Sequence, residues 1–132
     1  MLDLIGNKLG YVKYISYICI TKNKTMKNYI EKTEEYFEYF QNKDLTNLRE
    51  MYSFNIRLTD WVVDLTGTNN VLESNEELFE NDFKLEVIST KQIDNQTYNE
   101  ITIEIGDEFL NVLDVITFND DFKIENITAY KR

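Results

Sequence analysis

The hydrophobic period of this sequence changes along the chain, and that change limits the fold more than any other feature. Before residue 82, apolar residues recur mainly at three- and four-residue intervals; from Phe83 onward they alternate. Runs of helix followed by runs of strand predict an α+β layer, with a curved antiparallel sheet wrapped around helices. Over residues 27–42, Tyr29, Ile30, Thr33, Tyr36, Phe37 and Phe40 share one helical face, while Glu31, Glu34, Glu35 and Glu38 take the solvated side. Asp44 is a good N-cap for a second helix carrying Leu45, Leu48, Met51 and Tyr52 on one stripe. A strand is expected from Asn55 to about Val63, a turn at Gly67 to Asn70, and a third helix capped by Ser74 and running to about Asp82. Four further strands are marked by Phe83, Leu85 and Val87; by Ile101, Ile103 and Ile105; by Leu110, Val112, Ile116 and Phe118; and by Ile124 to Tyr130. Their joints at Asp94 to Gln96, Gly106 to Glu108 and Asn119 to Asp121 are short enough to favour antiparallel hairpins.

The 132 residues and 42% hydrophobic content suit one domain with a real core. With 14 basic against 24 acidic residues, the net charge is -10, which disfavours nucleic acid and anionic membrane as partners. There is no His, so Ser-His-Asp and Cys-His machineries and His-ligated metals are excluded. Proton transfer must fall to carboxylates, Tyr or Lys. Cys19 stands alone, so no intrachain disulfide can form; a reducing, cytoplasmic setting is expected. Residues 1–25 differ in charge, with Lys8, Lys13, Lys22 and Lys24 against Asp3 alone. Their apolar stretch, Tyr11 to Ile20, is interrupted by Lys13 and Ser16 and reads as neither anchor nor signal. They are either an extension upstream of the true start or an extra element packed on a domain of residues 26–132.

Strand alternation exposes two carboxylates in unusual places. Asp60 is in phase with Ile56, Leu58 and Val62, and Asp114 is in phase with Leu110, Val112, Ile116 and Phe118. A carboxylate inside an apolar row must be hydrogen-bonded, neutralised or opened onto a cavity. Tyr36 adds a third inward polar atom, on the apolar stripe of the first helix. The alternative for such a strand Asp is pairing with Arg49 or Arg57, or a place at a frayed sheet end.

These residues carry a resemblance. The segment Tyr36-Phe-Glu-Tyr-Phe-Gln-Asn-Lys-Asp44-Leu, then Met51-Tyr52 and Arg57-Leu-Thr-Asp60, resembles the opening of the NTF2-like superfamily, in particular its ketosteroid isomerase and SnoaL-like branches. Val112-Leu-Asp114-Val-Ile-Thr-Phe118 through Ile127-Thr-Ala-Tyr130 resembles that family's last hairpin and final strand. The resemblance covers about Met26 to Arg132. It implies an α+β cone, a curved antiparallel (mixed) sheet around three helices with an internal pocket, commonly a homodimer. Carried over residue by residue, it implies Asp60 as general base, Tyr36 and a protonated Asp114 as oxyanion-hole donors, and Tyr52 as a supporting tyrosine. Trp61, Phe40, Val112 and Ile116 would line the pocket, around a small apolar carbonyl-bearing ligand, with no metal or organic cofactor required. Trp61 stands where the isomerases have Pro, Phe122 replaces the usual Gly of the last turn, and a third network tyrosine has no counterpart. Competing readings are a non-catalytic ligand-binding or dimerisation module and a SnoaL-like cyclase or hydrolase. The lack of His weighs against the cyclase, and Arg57, out of phase with Asp60, weighs against an Asp-Arg hydrolase.

Overall fold

The structure, a computed structural model, describes residues 28–132. The expectations for residues 1–25, Cys19 included, lie outside the described residues. Three helices, α1 (Tyr29–Gln41), α2 (Leu45–Met51) and α3 (Thr68–Phe79), pack against a six-stranded sheet. Its strands are β1 (Tyr52–Thr59), β2 (Asp64–Thr66), β3 (Phe83–Ile93), β4 (Gln96–Ile105), β5 (Glu108–Phe118) and β6 (Ile124–Lys131), in the order β2-β1-β6-β5-β4-β3. Strands β3 to β6 form an antiparallel meander, and β1 lies parallel to β6, so the sheet is mixed.

Local chemistry accounts for most boundaries. Asn28 caps α1 by accepting from the Glu31 amide, and Asp44 caps α2 by accepting from the Asn47 amide. The α1 stripe of Tyr29, Thr33, Tyr36, Phe37 and Phe40 is buried as its spacing requires. Tyr29 stacks on Phe118 at 4.9 Å, and Phe40 meets Phe79 edge-on at 5.0 Å, so aromatic contacts tie α1 to the sheet and to α3. Phe122 takes a positive φ of 63° in the β5–β6 turn, the position where Gly was expected, and its ring lies 5.1 Å from Tyr29.

Several boundaries differ from the sequence reading. Strand β1 begins at Tyr52 and not at Asn55, so Tyr52, expected on the stripe of the second helix, opens the strand in extended conformation, and the short strand β2 pairs where only a loop was expected. Helix α3 begins at Thr68, with Gly67 at its N-cap, so the expected Gly67 to Asn70 turn is the helix's first turn and Ser74 lies inside it. Gly67 has φ of 100° and caps without a side chain, which leaves no cap signature to read. Strand β1 ends at Thr59 and not at Val63, because Asp60 turns the chain: its Oδ1 accepts from the Val62 and Val63 amides at 2.7 and 2.8 Å. Val62, expected to face inward, is 77% exposed as a result.

Ile56, fully buried on β1, and Val62 separate these two environments. Ile56→Ala is expected to cost about 2–5 kcal/mol in urea unfolding, whereas Val62→Ser should change stability by less than about 0.5 kcal/mol. A large loss from Val62→Ser would contradict the outward turn.

Candidate functional site

The strand register brings the two inward carboxylates into one row. Asp114 on β5 pairs with Asn99 on β4 and with Ala129 on β6. Thr59 pairs with Thr128 in the parallel β1–β6 ladder, so Asp60, one residue further on, lies level with Ala129. The row therefore reads Asp60, Ala129, Asp114, Asn99. With strands about 4.8 Å apart, the backbones of the two aspartates stand on the order of 10 Å from each other, separated by the smallest side chain in the row.

Asp114 is 6% exposed, and no hydrogen bond from a described residue reaches its carboxyl group. Asn99 directly opposite spends its amide elsewhere. Its Nδ2 donates to the Asp114 backbone carbonyl at 3.0 Å and to Thr97 Oγ1 at 3.2 Å, and its Oδ1 accepts from Thr90 Oγ1 at 2.8 Å. Burial, and next the charge of Asp60, push the Asp114 carboxyl up to about 7. In its protonated form it is a carboxylic acid with an O–H to donate.

Above this row lie two phenols. Tyr36 and Tyr52 are both buried, with ring centroids 6.5 Å apart. Burial, then Tyr52, then the charge of Asp114 raise the Tyr36 phenol well above its ordinary value; burial chiefly does the same for Tyr52. Both are proton donors across the physiological range. Tyr52 donates in turn to Asn75 Oδ1 at 2.6 Å. Asn75 went unread in the sequence, although its place in the α3 stripe with Val71, Leu72 and Phe79 is a helical spacing that marks it as inward.

The remaining sequence-selected residues divide. Phe40 belongs to an aromatic cluster with Tyr36, Phe79 and Phe83, while Val112 and Ile116 flank Asp114 on the buried face of β5. Trp61 is 44% exposed at the Asp60 turn, and Lys131 Nζ lies 5.5 Å over its ring. Arg57 pairs with Asp64 and Arg49 bonds Asn69, so neither arginine takes up an inward aspartate. Two surface grooves of about 450 and 550 Å³ lie elsewhere, between α2 and α3 and between α1 and β3. Among the described residues no group of side chains is arranged to hold a metal ion, and no helix is long and apolar enough to cross a membrane.

Solved structures of several proteins share this architecture. A steroid delta-isomerase from Pseudomonas aeruginosa is 15% identical with a TM-score of 0.70, covering 83% of this chain and 84% of its own. The epoxide hydrolase/cyclase-like enzyme SalBIII of pyran ring formation in salinomycin is 16% identical with a TM-score of 0.72, covering 79% and 90%. An NTF2-like protein of unknown function from Cytophaga hutchinsonii is 12% identical with a TM-score of 0.71, covering 83% and 95%. The chain has the NTF2-like fold. Neither a family model nor a curated protein matches the sequence. Similarity at this level of identity extends to the NTF2-like cone and stops short of its chemistry.

The raised Asp114 carboxyl has a thermodynamic signature. Its native value of about 7 exceeds the ordinary 3.8, so the folded state holds the proton more tightly and stability falls as pH rises between those values. A shift of this size corresponds to a loss on the order of 4 kcal/mol. Asp114→Asn should remove that slope and leave the variant more stable than wild type at pH 8, as read by urea unfolding at pH 5 and pH 8; an unaltered slope would refute the assignment.

Proposed function

We propose that this chain is a steroid delta-isomerase-like proton-transfer enzyme, moving a double bond next to a carbonyl in a small apolar substrate. The reading rests on one observation: a buried carboxyl without a hydrogen-bond partner among the described residues, level with a second carboxyl across Ala129. A neutral acid in that position is a donor waiting for an acceptor, and a substrate carbonyl oxygen is one. In the proposed reaction Asp60 removes a proton alpha to the carbonyl, forming a dienolate, and returns it to the gamma carbon. Asp114 and Tyr36 donate to the oxygen on which the charge develops. Donors fixed in a dry site favour the transition state over the less charged ground state, and no cofactor is required for this chemistry. Asp60 Oδ1 is held by two backbone amides, which aims the carboxylate while leaving Oδ2 free of described partners.

That same capping role favours a second reading. A carboxylate that shapes its own turn has a structural reason to be there, and the rings of Phe37, Phe40 and Tyr52 pack closely around Tyr36. A non-catalytic module binding an apolar ligand would carry both features.

Ultraviolet-monitored conversion of a beta,gamma-unsaturated ketosteroid to its conjugated isomer separates the two. Asparagine can still accept the Val62 and Val63 amides, so Asp60→Asn keeps the turn and removes the base. Turnover should fall by at least about a hundredfold. Ligand binding without turnover in the wild type would favour the module.

Turnover should also decline with pH above about 7 as Asp114 ionises, and Asp114→Asn, which keeps an N–H donor, should lose that alkaline limb. Filling the row is a third check: Ala129→Leu is expected to abolish turnover while the protein still melts cooperatively by circular dichroism. Unchanged turnover in that variant would move the substrate away from the space between the aspartates.

A further inference from the structure

The row of Asp60, Ala129, Asp114 and Asn99 has a fifth member at the sheet edge. Thr90 on β3 pairs with Asn99 on β4, and Asn99 pairs with Asp114 on β5, so a half-buried hydroxyl beside the groove between α1 and β3 stands two strands from the acid. Strand alternation alone would not put it there. Leu85 and Val87 pair with Ile103 and Ile101, and the next residue in that phase is Ser89. A register shift between Val87 and Ser89 leaves Ile88 out of the ladder, so that Ser89 falls opposite Glu100 and Thr90 falls opposite Asn99. The bulge therefore brings Thr90 to the fully buried Asn99 amide, where its Oγ1 donates to Oδ1 at 2.8 Å.

The other end of that amide faces β5. Nδ2 donates to the Asp114 main-chain carbonyl at 3.0 Å and to Thr97 Oγ1 at 3.2 Å, and Thr97 is itself bonded to Thr33 on α1 at 2.8 Å. Side chains directly opposite each other on one face have Cβ atoms about 4.5–5.5 Å apart, so the Asp114 carboxyl lies within a rotation's reach of an amide that bonds only its main chain. We propose that Thr90 is a positioning residue for Asp114: holding Oδ1 from the edge strand, it keeps the Asn99 amide on the main chain and off the carboxyl beside it. Without the Thr90 hydroxyl, Oδ1 would be buried with no donor among the described residues, which favours a turn of the amide. Nδ2 already lies on the β5 side, so the turn brings an N–H to the carboxyl. A donor there favours the carboxylate and costs the site its neutral acid. The titratable groups that face Asp114 are Asp60 past the end of β1, Tyr36 on α1 and Tyr52 on β1, and none of them carries a positive charge. The inference rests on the proton-transfer reading above for the use made of the acid.

The test is a pH titration of the Asp114 carboxyl carbon in full-length protein labelled with carbon-13 aspartate, the signal being assigned by its loss in Asp114→Asn. In wild type the midpoint is expected at about 7. Thr90→Val keeps the branched shape and removes the hydroxyl, and the carboxyl should then hold its proton at least about tenfold more weakly. Thr90→Ser restores the hydroxyl and should match wild type within about twofold. Asn99→Leu has no amide to turn, so adding Thr90→Val to it should change the proton's hold by less than about twofold, whereas a general loosening of the sheet edge would act with or without Asn99. If Asn99→Leu does not fold, the contrast between Thr90→Val and Thr90→Ser decides the matter. An unchanged midpoint in Thr90→Val, an equal fall in Thr90→Ser, or a fall that survives Asn99→Leu would overturn the role of Thr90. The titration needs no substrate, so its outcome is separate from that of the ketosteroid assay. A midpoint lowered in Thr90→Val with no turnover in wild type would remove the isomerase reading and leave the positioning role; turnover in wild type with an unmoved midpoint would do the reverse.

Discussion

An apolar sheet face that holds a carboxylic acid without a hydrogen-bond partner among the described residues is the constraint around which this molecule is arranged. Desolvation of Asp114 is unfavourable, and the fold relieves it by keeping the proton on, not by supplying a cation. That choice follows from the neighbours. Arg57 and Arg49 are engaged on the outside, and Asn99 opposite is saturated by Thr90, Thr97 and the backbone of Asp114 itself. The same Asn99 network reaches α1 through Thr97 and Thr33, whose hydroxyls are 2.8 Å apart, so the polar groups that fix the sheet against the helix also isolate the acid. Satisfied amides and hydroxyls thus hold the frame, and one carboxyl is left without a partner among the described residues.

How much of this could be read from sequence depends on the range of the interaction. The α1 stripe, the α2 cap and the β3 to β6 meander are local, because each is fixed by spacing within an element or by a short turn, and all were legible. The inward phase of Asp60 and Asp114 was legible for the same reason. The parallel pairing of β1 with β6 was not, since the partners are separated by most of the chain and no motif specifies their register. Yet that pairing is what places Asp60 level with Ala129 and so across from Asp114. The start of α3 was hidden for a different reason: Gly67, Thr68, Asn69 and Asn70 are turn formers by composition, and only contact with β1 turns them into a helix. Reading Ser74 as the cap then obscured Asn75, whose helical phase becomes visible once Val71 and Leu72 belong to the same helix.

Asp60 illustrates how a structural and a chemical role can share one side chain. As a turn former it ends β1, exposes Val62 and brings Trp61 to the surface beside Lys131. As a candidate base it needs to be aimed and still have a lone pair to spare. Two backbone amides on Oδ1 meet the first need and leave Oδ2 for the second. The capping bonds therefore do not argue against a reactive carboxylate by themselves; they fix its direction.

Two of the three donor groups are tuned differently although both are buried. Tyr36 is raised well above its ordinary value by burial first and then by Tyr52 and Asp114, so it holds its proton near neutrality. Asp114 sits near neutrality, where a modest change in its surroundings changes its protonation. A ligand oxygen that accepts from Asp114 would favour the protonated form, whereas ionised Asp60 already does so through its charge. Under the proposed reaction the base and the acid would be coupled: the charge with which Asp60 would take a proton from carbon is the charge that helps keep the proton on Asp114. In the proposed reaction, protonation of Asp60 would withdraw that support for the Asp114 proton and make the acid a stronger donor as charge develops on the substrate oxygen.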